Sequence, residues 1–467
     1  MQVGRQMLRL IAAALLCAAS PALAQPAPAS ADLSPALVTV PPLPSTPAVN
    51  AYYQLSGNAP IWLKDAASAE AAKLLPAILE RAPLDGLANG PDLARMVEDA
   101  IARAEAAAPN ARPAALVAAD KLLSAAWVQY VRALKAPVRG MTWGDPLLQP
   151  RVPSPHQVLA EAFKAPSLVQ HVGTVSSVSP VYAKLRDAAW QGLRLNGQSA
   201  PDARLAANLE RARVLPASGR FIAVNAATQQ LWMYEDGRLA DTMKVVVGKP
   251  DTPTPMLSGT IHYATFNPYW NIPTDVARRA VAPLVVKRGP GYLRAARYEV
   301  ISAWSNDATV VAPDTVDWKA VAAGTADAHI RQLPGPANMM GALKFAFAND
   351  LGIYLHDTPH KELFAKGQRT FSLGCVRVED AKRLGRWLLN AEPVPPSDQP
   401  EQSVRLPKPV PVYITYVTAS ADDGRLAFAD DVYGLDPKAE TALVALEPLT
   451  GASTASAAGT DLTATPH

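Results

Sequence analysis

Cysteine is almost missing from this chain: two occur in 467 residues, Cys17 and Cys375. Cys17 sits in an apolar N-terminal run read below as a leader, which leaves one thiol and no internal disulfide. With no second cysteine left to ligate, a zinc or other metal site is not expected. No run approaches the ~20 apolar residues that span a bilayer, so no transmembrane segment is expected either. Clustered Lys and Arg are lacking. The formal net charge is +3, falling to +1 without the first 24 residues, which carry Arg5 and Arg9 and no acid. That balance excludes a basic nucleic-acid surface. Gly289-Pro290-Gly291 and Pro334-Gly335-Pro336 complete no phosphate-cradling pattern, so no nucleotide or other organic cofactor is implied.

What is present is globular. Hydrophobic residues make up 49% and charged residues 18%, and the length suits two domains. Proline is the excess, with 44 residues, about twice the usual share. Arg5 and Arg9 followed by Leu10 to Ala19 and then Ala22-Leu23-Ala24 have the three parts of a secretory signal, so residues 1–24 are expected to be cleaved after Ala24. Residues 25–47 are rich in Pro, Ala and Ser and read as a linker. From 48 to 216 the period is helical, with apolar spacing over Ala67 to Leu79, Asp120 to Leu134 and Val181 to Leu193. His156 and His171 fall outside those runs and read as loop residues.

Near Gly219 the period changes from 3.6 to 2. Arg220 to Asn225 and Gln230 to Tyr234 read as a hairpin pair, and Glu235-Asp236-Gly237 as a turn into a third strand over Met243 to Val247. Further strands are expected at Ile261 to Phe266, Ile353 to His356 and Val410 to Thr418. Residues 275–345 read as loop-rich, and 437–467 as a disordered Ala/Thr/Ser tail. The fold class is therefore α+β: an α-helical scaffold followed by a mainly β domain over 219–436 with a loop-rich lid.

The chemistry points to Tyr354-Leu355-His356-Asp357 and, sixteen residues after His356, Ser372-Leu373-Gly374-Cys375-Val376-Arg377. A thiol is only a few per cent thiolate at neutral pH, so a nucleophilic cysteine needs a base beside it. Histidine suits that task. Gly374 permits a tight turn whose N–H groups would face a developing oxyanion. His360, His262 and His329 read as surface, strand and loop residues.

These residues resemble the signature of the L,D-transpeptidase (YkuD-like) catalytic domain: a histidine, a spacer of this length, and Ser/Thr-x-Gly-Cys. The likeness extends through Val246-Val247-Gly248-Lys249, Asn267 to Pro273, Gln332 to Asn338, Pro411 to Ile414 and Asp430 to Gly434. It looks like the long YcbB-like branch, whose helical segments Pro60 to Leu63, Ala82 to Leu87 and Asn208 to Arg211 resemble. The resemblance implies a periplasmic enzyme that attacks peptidoglycan stem peptides with Cys375, using His356 as base. It would release D-Ala and form diaminopimelate–diaminopimelate cross-links. It also implies reaction with carbapenem-type inhibitors, an oxyanion site at Gly374 and Cys375, and positioning roles for Ser372, Tyr354 and Arg377. Trp270 and Tyr269 would line the substrate cleft or, as the alternative reading, pack in the core. Leu373 departs from the pattern, standing where histidine or serine is usual, and is expected to pack against the domain. Two alternatives follow: water as acceptor, giving an L,D-carboxypeptidase or endopeptidase, or a decayed site in a wall-binding protein.

Overall fold

The computed structural model describes residues 46–437 apart from 306, 422 and 423. The expected leader, the linker up to residue 45 and the tail beyond 437 lie outside them. Thr46 and Pro47, placed in the linker by composition, already belong to a helix. The N-terminal half holds α1 (Thr46–Leu55), α2 (Ala66–Arg81), α3 (Gly90–Ala106), α4 (Arg112–Leu134), α5 (Pro155–Lys164), α6 (Leu168–Ser176), α7 (Pro180–Leu195) and α8 (Ala203–Ala212). Short polar side chains start several of them. Asp65 accepts from Ser68 N at 2.7 Å, Asp202 accepts from Leu205 N at 2.7 Å, and Ser154 and Gln157 form a reciprocal capping box.

Apolar faces of α1 to α6 close over Trp62, Trp127, Tyr53 and Tyr130, all fully buried. The Asp120 carboxylate is buried among them and accepts from the Ile61, Trp62 and Leu63 amides at 2.7–2.8 Å. A buried charge survives there because its oxygens are filled with donors. His156 and His171 are helical residues, on α5 and α6, with rings against Tyr52 and Trp127. They were expected in loops because helices of ten and nine residues, each with only three buried positions, give a weak periodic signal in sequence.

The second half is built from β1 (Thr142–Trp143), β2 (Phe221–Asn225), β3 (Gln230–Glu235), β4 (Arg238–Gly248), β5 (Leu257–Phe266), β6 (Trp270–Ile272), β7 (Tyr298–Ile301), β8 (Val310–Val311), β9 (His329–Gln332), β10 (Leu343–Ala346), β11 (Tyr354–His356), β12 (Thr370–Ser372), β13 (Val376–Val378), β14 (Gln402–Thr415), β15 (Ala419–Ser420) and β16 (Ala427–Phe428). Asp236 and Gly237, at φ 49° and 77°, make the β3–β4 turn, as two successive positive φ values require. The main sheet runs β5-β10-β11-β13-β4-β3-β2-β14, and β14 then pairs with β5, so the sheet closes on itself. Inward residues such as Val245, Val247, Phe345, Leu355, Val376 and Val378 fill it.

Residues 275–345 are more ordered than their composition suggests. They carry α9 (Thr274–Val276), a π turn, α10 (Ala282–Arg288), α11 (Gly291–Ala295) and α12 (Trp318–Ala323), set against the sheet β6-β9-β7-β8. Ile272, Val281, Val285, Val300, Trp318 and Ile330 give this insertion its own small core. Elements of two to seven residues, broken by Gly and Pro, leave almost no periodicity to read. After β12 and β13, α13 (Ala381–Leu389) is capped by Asp380 and ends at Asn390 with φ 53°.

The chain then returns to the helices. Asp436 accepts from Arg211 at 2.8 Å, Arg204 at 2.8 Å, Asn208 at 3.2 Å and Thr418 at 2.6 Å. Helix α8 thus grips a C-terminal strap, residues 430–436.

Candidate active site

Strand alternation decides which side chains meet. Leu355 and Val376 are register partners in the parallel pair β11–β13, and both point into the core. Their neighbours therefore share the opposite face. His356 lies opposite Arg377, and Cys375, one residue before β13, lies opposite Tyr354 by the same register. On the other side of β11, Lys344 of β10 is paired with His356. One face thus carries Lys344, Tyr354, His356, Cys375 and Arg377.

His356 is buried, with 4% of its surface exposed. Its Nδ1 lies 2.6 Å from the carbonyl oxygen of Asp357. A carbonyl only accepts, so Nδ1 carries the proton and Nε2 keeps a free lone pair in the neutral ring. Burial, reinforced by the Arg377 cation, lowers the imidazole pKa to about 4. The ring is therefore uncharged at neutral pH.

Cys375 is partly buried and unpaired. Burial pushes its thiol pKa up, against smaller opposing effects from the Tyr354 backbone and Arg377. Its Sγ donates to Gly352 O at 3.4 Å. The resting pair is a neutral thiol and a neutral imidazole, not an ion pair.

The turn before the thiol is closed by Ser372, whose hydroxyl donates to Cys375 O at 2.6 Å and accepts from Gly374 N at 3.1 Å. Ser372 is 1% exposed. It acts on the loop and not on His356. The Gly374 amide, expected to face an oxyanion, is committed to Ser372 within the loop. Gly374 itself has φ +117°, and a Cβ there would come within 3.1 Å of Ile353, so the turn needs glycine.

Arg377 is largely buried and no carboxylate pairs with it among the described residues; its Nε has no hydrogen-bond partner. An unpaired buried guanidinium is costly unless an anion completes it. Lys344, by contrast, is satisfied by Glu401 at 3.1 Å. Leu373 does not pack: it is 48% exposed, with Phe371 and Leu351 also exposed. On a strand-like run whose neighbour Ser372 is buried, period-2 alternation turns Leu373 outward. Trp270 packs against the insertion's core, and Tyr269 lies under the Arg331 guanidinium at 4.1 Å.

His360 is on the surface beside Glu362, and His262 is exposed on β5. His329, read as a loop residue, begins β9 and contacts Trp304. Sequence reasoning gave Lys344 no site role and missed the carbonyls of Gly352 and Asp357, and Thr254, whose hydroxyl donates to Gly374 O at 2.7 Å. Backbone partners carry no side-chain signal, and Thr254 is 120 residues away in the chain. Among the described residues no cluster of His, Cys, Asp or Glu could hold a metal ion, and no helix is long and apolar enough to cross a membrane.

Residues 219–397 match the YkuD family, described as an L,D-transpeptidase catalytic domain, and residues 47–188 match a scaffold domain. The chain carries a YkuD L,D-transpeptidase catalytic domain behind a helical scaffold domain. A Haemophilus influenzae protein provisionally named an L,D-transpeptidase is 30% identical over 240 residues, 50% of this chain and 48% of that protein. The matched region thus spans about half the length of that curated relative. Among solved structures, an L,D-transpeptidase from Mycobacterium smegmatis is 11% identical over 42% of this chain and 59% of its own, with a TM-score of 0.21. A mutant Enterococcus faecium L,D-transpeptidase is 13% identical over 42% and 50%, with a TM-score of 0.20. A Mycobacterium tuberculosis L,D-transpeptidase carrying a faropenem-derived adduct is 12% identical over 42% and 60%, with a TM-score of 0.22. His356 and Cys375 both fall within the matched residues 219–397.

Proposed function

We propose that this protein is a periplasmic peptidoglycan L,D-transpeptidase, exported by cleavage after Ala24, with Cys375 as nucleophile and His356 as general base. The observation that carries the base assignment is the 2.6 Å contact of His356 Nδ1 with Asp357 O. It leaves Nε2 as the basic nitrogen on the face shared with Cys375. As Sγ bonds to the carbonyl carbon of a diaminopimelate–D-Ala linkage, its proton passes to Nε2. A raised thiol and a depressed imidazole make that transfer uphill at rest. It therefore accompanies S–C bond formation. The tetrahedral oxyanion is met by the Cys375 amide. The C–N bond then breaks, and the acidic imidazolium returns its proton to the departing D-Ala amine. An amine of a second stem attacks the thioester, gives a proton to Nε2, and restores the thiol as the cross-link forms.

Arg377 supplies the complement to a stem carboxylate, because its charge faces the site without a protein anion. A β-lactam carbonyl offers the same electrophile, so carbapenem-type compounds are expected to acylate Cys375. No step calls for a metal or organic cofactor.

The test is mass spectrometry of purified sacculi after incubation with the protein. Diaminopimelate–diaminopimelate dimers support the transferase. Shortened stems without dimers replace it by a hydrolase, and unchanged sacculi replace it by a wall-binding protein.

A further inference from the structure

The nucleophile loop is held by a turn far from it in sequence. Thr254, 2% exposed, donates from Oγ1 to Gly374 O at 2.7 Å and accepts from Gly248 N at 2.8 Å. Its own amide donates to the Tyr433 hydroxyl at 3.3 Å, and that hydroxyl donates to Gly248 O at 2.7 Å. The 248–254 turn is drawn so tight that a Cβ at Gly248 would lie 2.1 Å from Thr252 O. Tyr433 is itself fixed: its amide donates to Tyr416 Oη at 2.9 Å, the two rings stack at 5.2 Å, and Tyr416 donates to Asp431 at 2.6 Å. The strap bearing Tyr433 ends at Asp436 in the grip of Arg204, Asn208 and Arg211 on α8.

Gly374 O belongs to the peptide unit whose N–H is that of Cys375. A trans peptide is planar, with C=O and N–H pointing in opposite directions. A hydroxyl that fixes one end therefore aims the other. The flanking Gly374 has φ +117°, a conformation with no side chain to hold it in place, so the orientation has to be imposed from outside.

We propose that Thr254, buttressed by Tyr433 of the C-terminal strap, is a positioning residue that aims the Cys375 amide at the substrate oxyanion. This rests on Cys375 being the acyl-accepting nucleophile proposed above.

Two reactions of the same thiol separate this role from a purely structural one. Acylation by a carbapenem or by p-nitrophenyl acetate develops an oxyanion; alkylation by iodoacetamide is a displacement at carbon and develops none. In the full-length protein, Thr254→Val is expected to slow the acylation rate constant at least tenfold, up to the ~10²–10³-fold that losing one oxyanion donor outright costs. The half-saturating concentration should hold steady and iodoacetamide alkylation should stay within about threefold. Thr254→Ser, which keeps the hydroxyl, should recover most of the acylation rate, and Tyr433→Phe should give an intermediate loss. Thr254→Val and Tyr433→Phe acylating at the wild-type rate would overturn the proposal, as would equal losses in both reactions. If Thr254→Val does not fold, Tyr433→Phe decides by the same ratio. Wild type that acylates normally but leaves sacculi unchanged would refute the transpeptidase reading alone. Wild type that no acyl donor modifies at Cys375 would sink both.

Discussion

His356 and Arg377 stand side by side as register partners across β11 and β13, an imidazole beside a half-buried cation that no carboxylate among the described residues neutralises. The cation disfavours imidazolium, adding to the effect of burial. A substrate carboxylate seated on Arg377 would cancel that charge and make His356 a stronger base when it is needed.

The pH dependence of acylation follows. His356 has to be neutral to accept a proton, and its pKa of about 4 leaves it neutral through the range where an ordinary histidine, near 6.5, titrates. The acid limb of a carbapenem acylation profile is expected near pH 4 in wild type. In Arg377→Gln it should move up towards, without reaching, the ordinary value, since burial remains. An acid limb that stays in place would remove Arg377 from the electrostatics.

The same group makes folding pH-dependent. Between about pH 4 and 6.5 the unfolded chain binds a proton at His356 that the folded chain refuses, so stability falls as pH drops through that window and is flat above it. The ceiling is ~3 kcal/mol from 1.36 kcal/mol per pKa unit. Urea unfolding of wild type and His356→Gln at pH 7 and pH 4.5 should show a drop that the variant lacks.

Cys375→Ala should abolish carbapenem adduct formation and move the unfolding midpoint little, because a partly buried thiol gives up little volume. An adduct on the alanine variant would refute the nucleophile.

His356→Ala is expected to cost ~10²–10⁴-fold in acylation rate, while His360→Ala and His262→Ala, both on the surface, stay near wild type. A crippled His360→Ala would move the base there.

Leu373 is exposed, so Leu373→Ser should change stability by no more than about 0.5 kcal/mol, and acylation should stay within roughly tenfold. A hundredfold gain would mean that leucine impairs the site and would revive the decayed-enzyme alternative.

That His356 and Cys375 share one face was legible because the signal is local: two short strand-like runs sixteen residues apart, whose period of 2 fixes their faces once they pair. The β3–β4 turn was legible for the same reason, since Asp236-Gly237 states its own backbone. Leu373 was misread as buried because a lone apolar residue carries no facing until its strand is paired. The ordered insertion over 275–345 and the Thr254–Tyr433 brace escaped detection because both depend on contacts between segments far apart in the chain, to which composition and periodicity are blind.

Strand β13 is only three residues long and β11 no longer, lengths that would fray at the rim of an open sheet. Here each lies inside the sheet order with a neighbour on both sides, β10 and β13 flanking β11, and β11 and β4 flanking β13. A slip of one residue would send Arg377 into the interior and Val376 to the surface, and there is no loose edge along which a slip could begin. The flanking strands also hide the strand edges next to the thiol, so a second unfolding chain finds no unpaired backbone there on which to template aggregation.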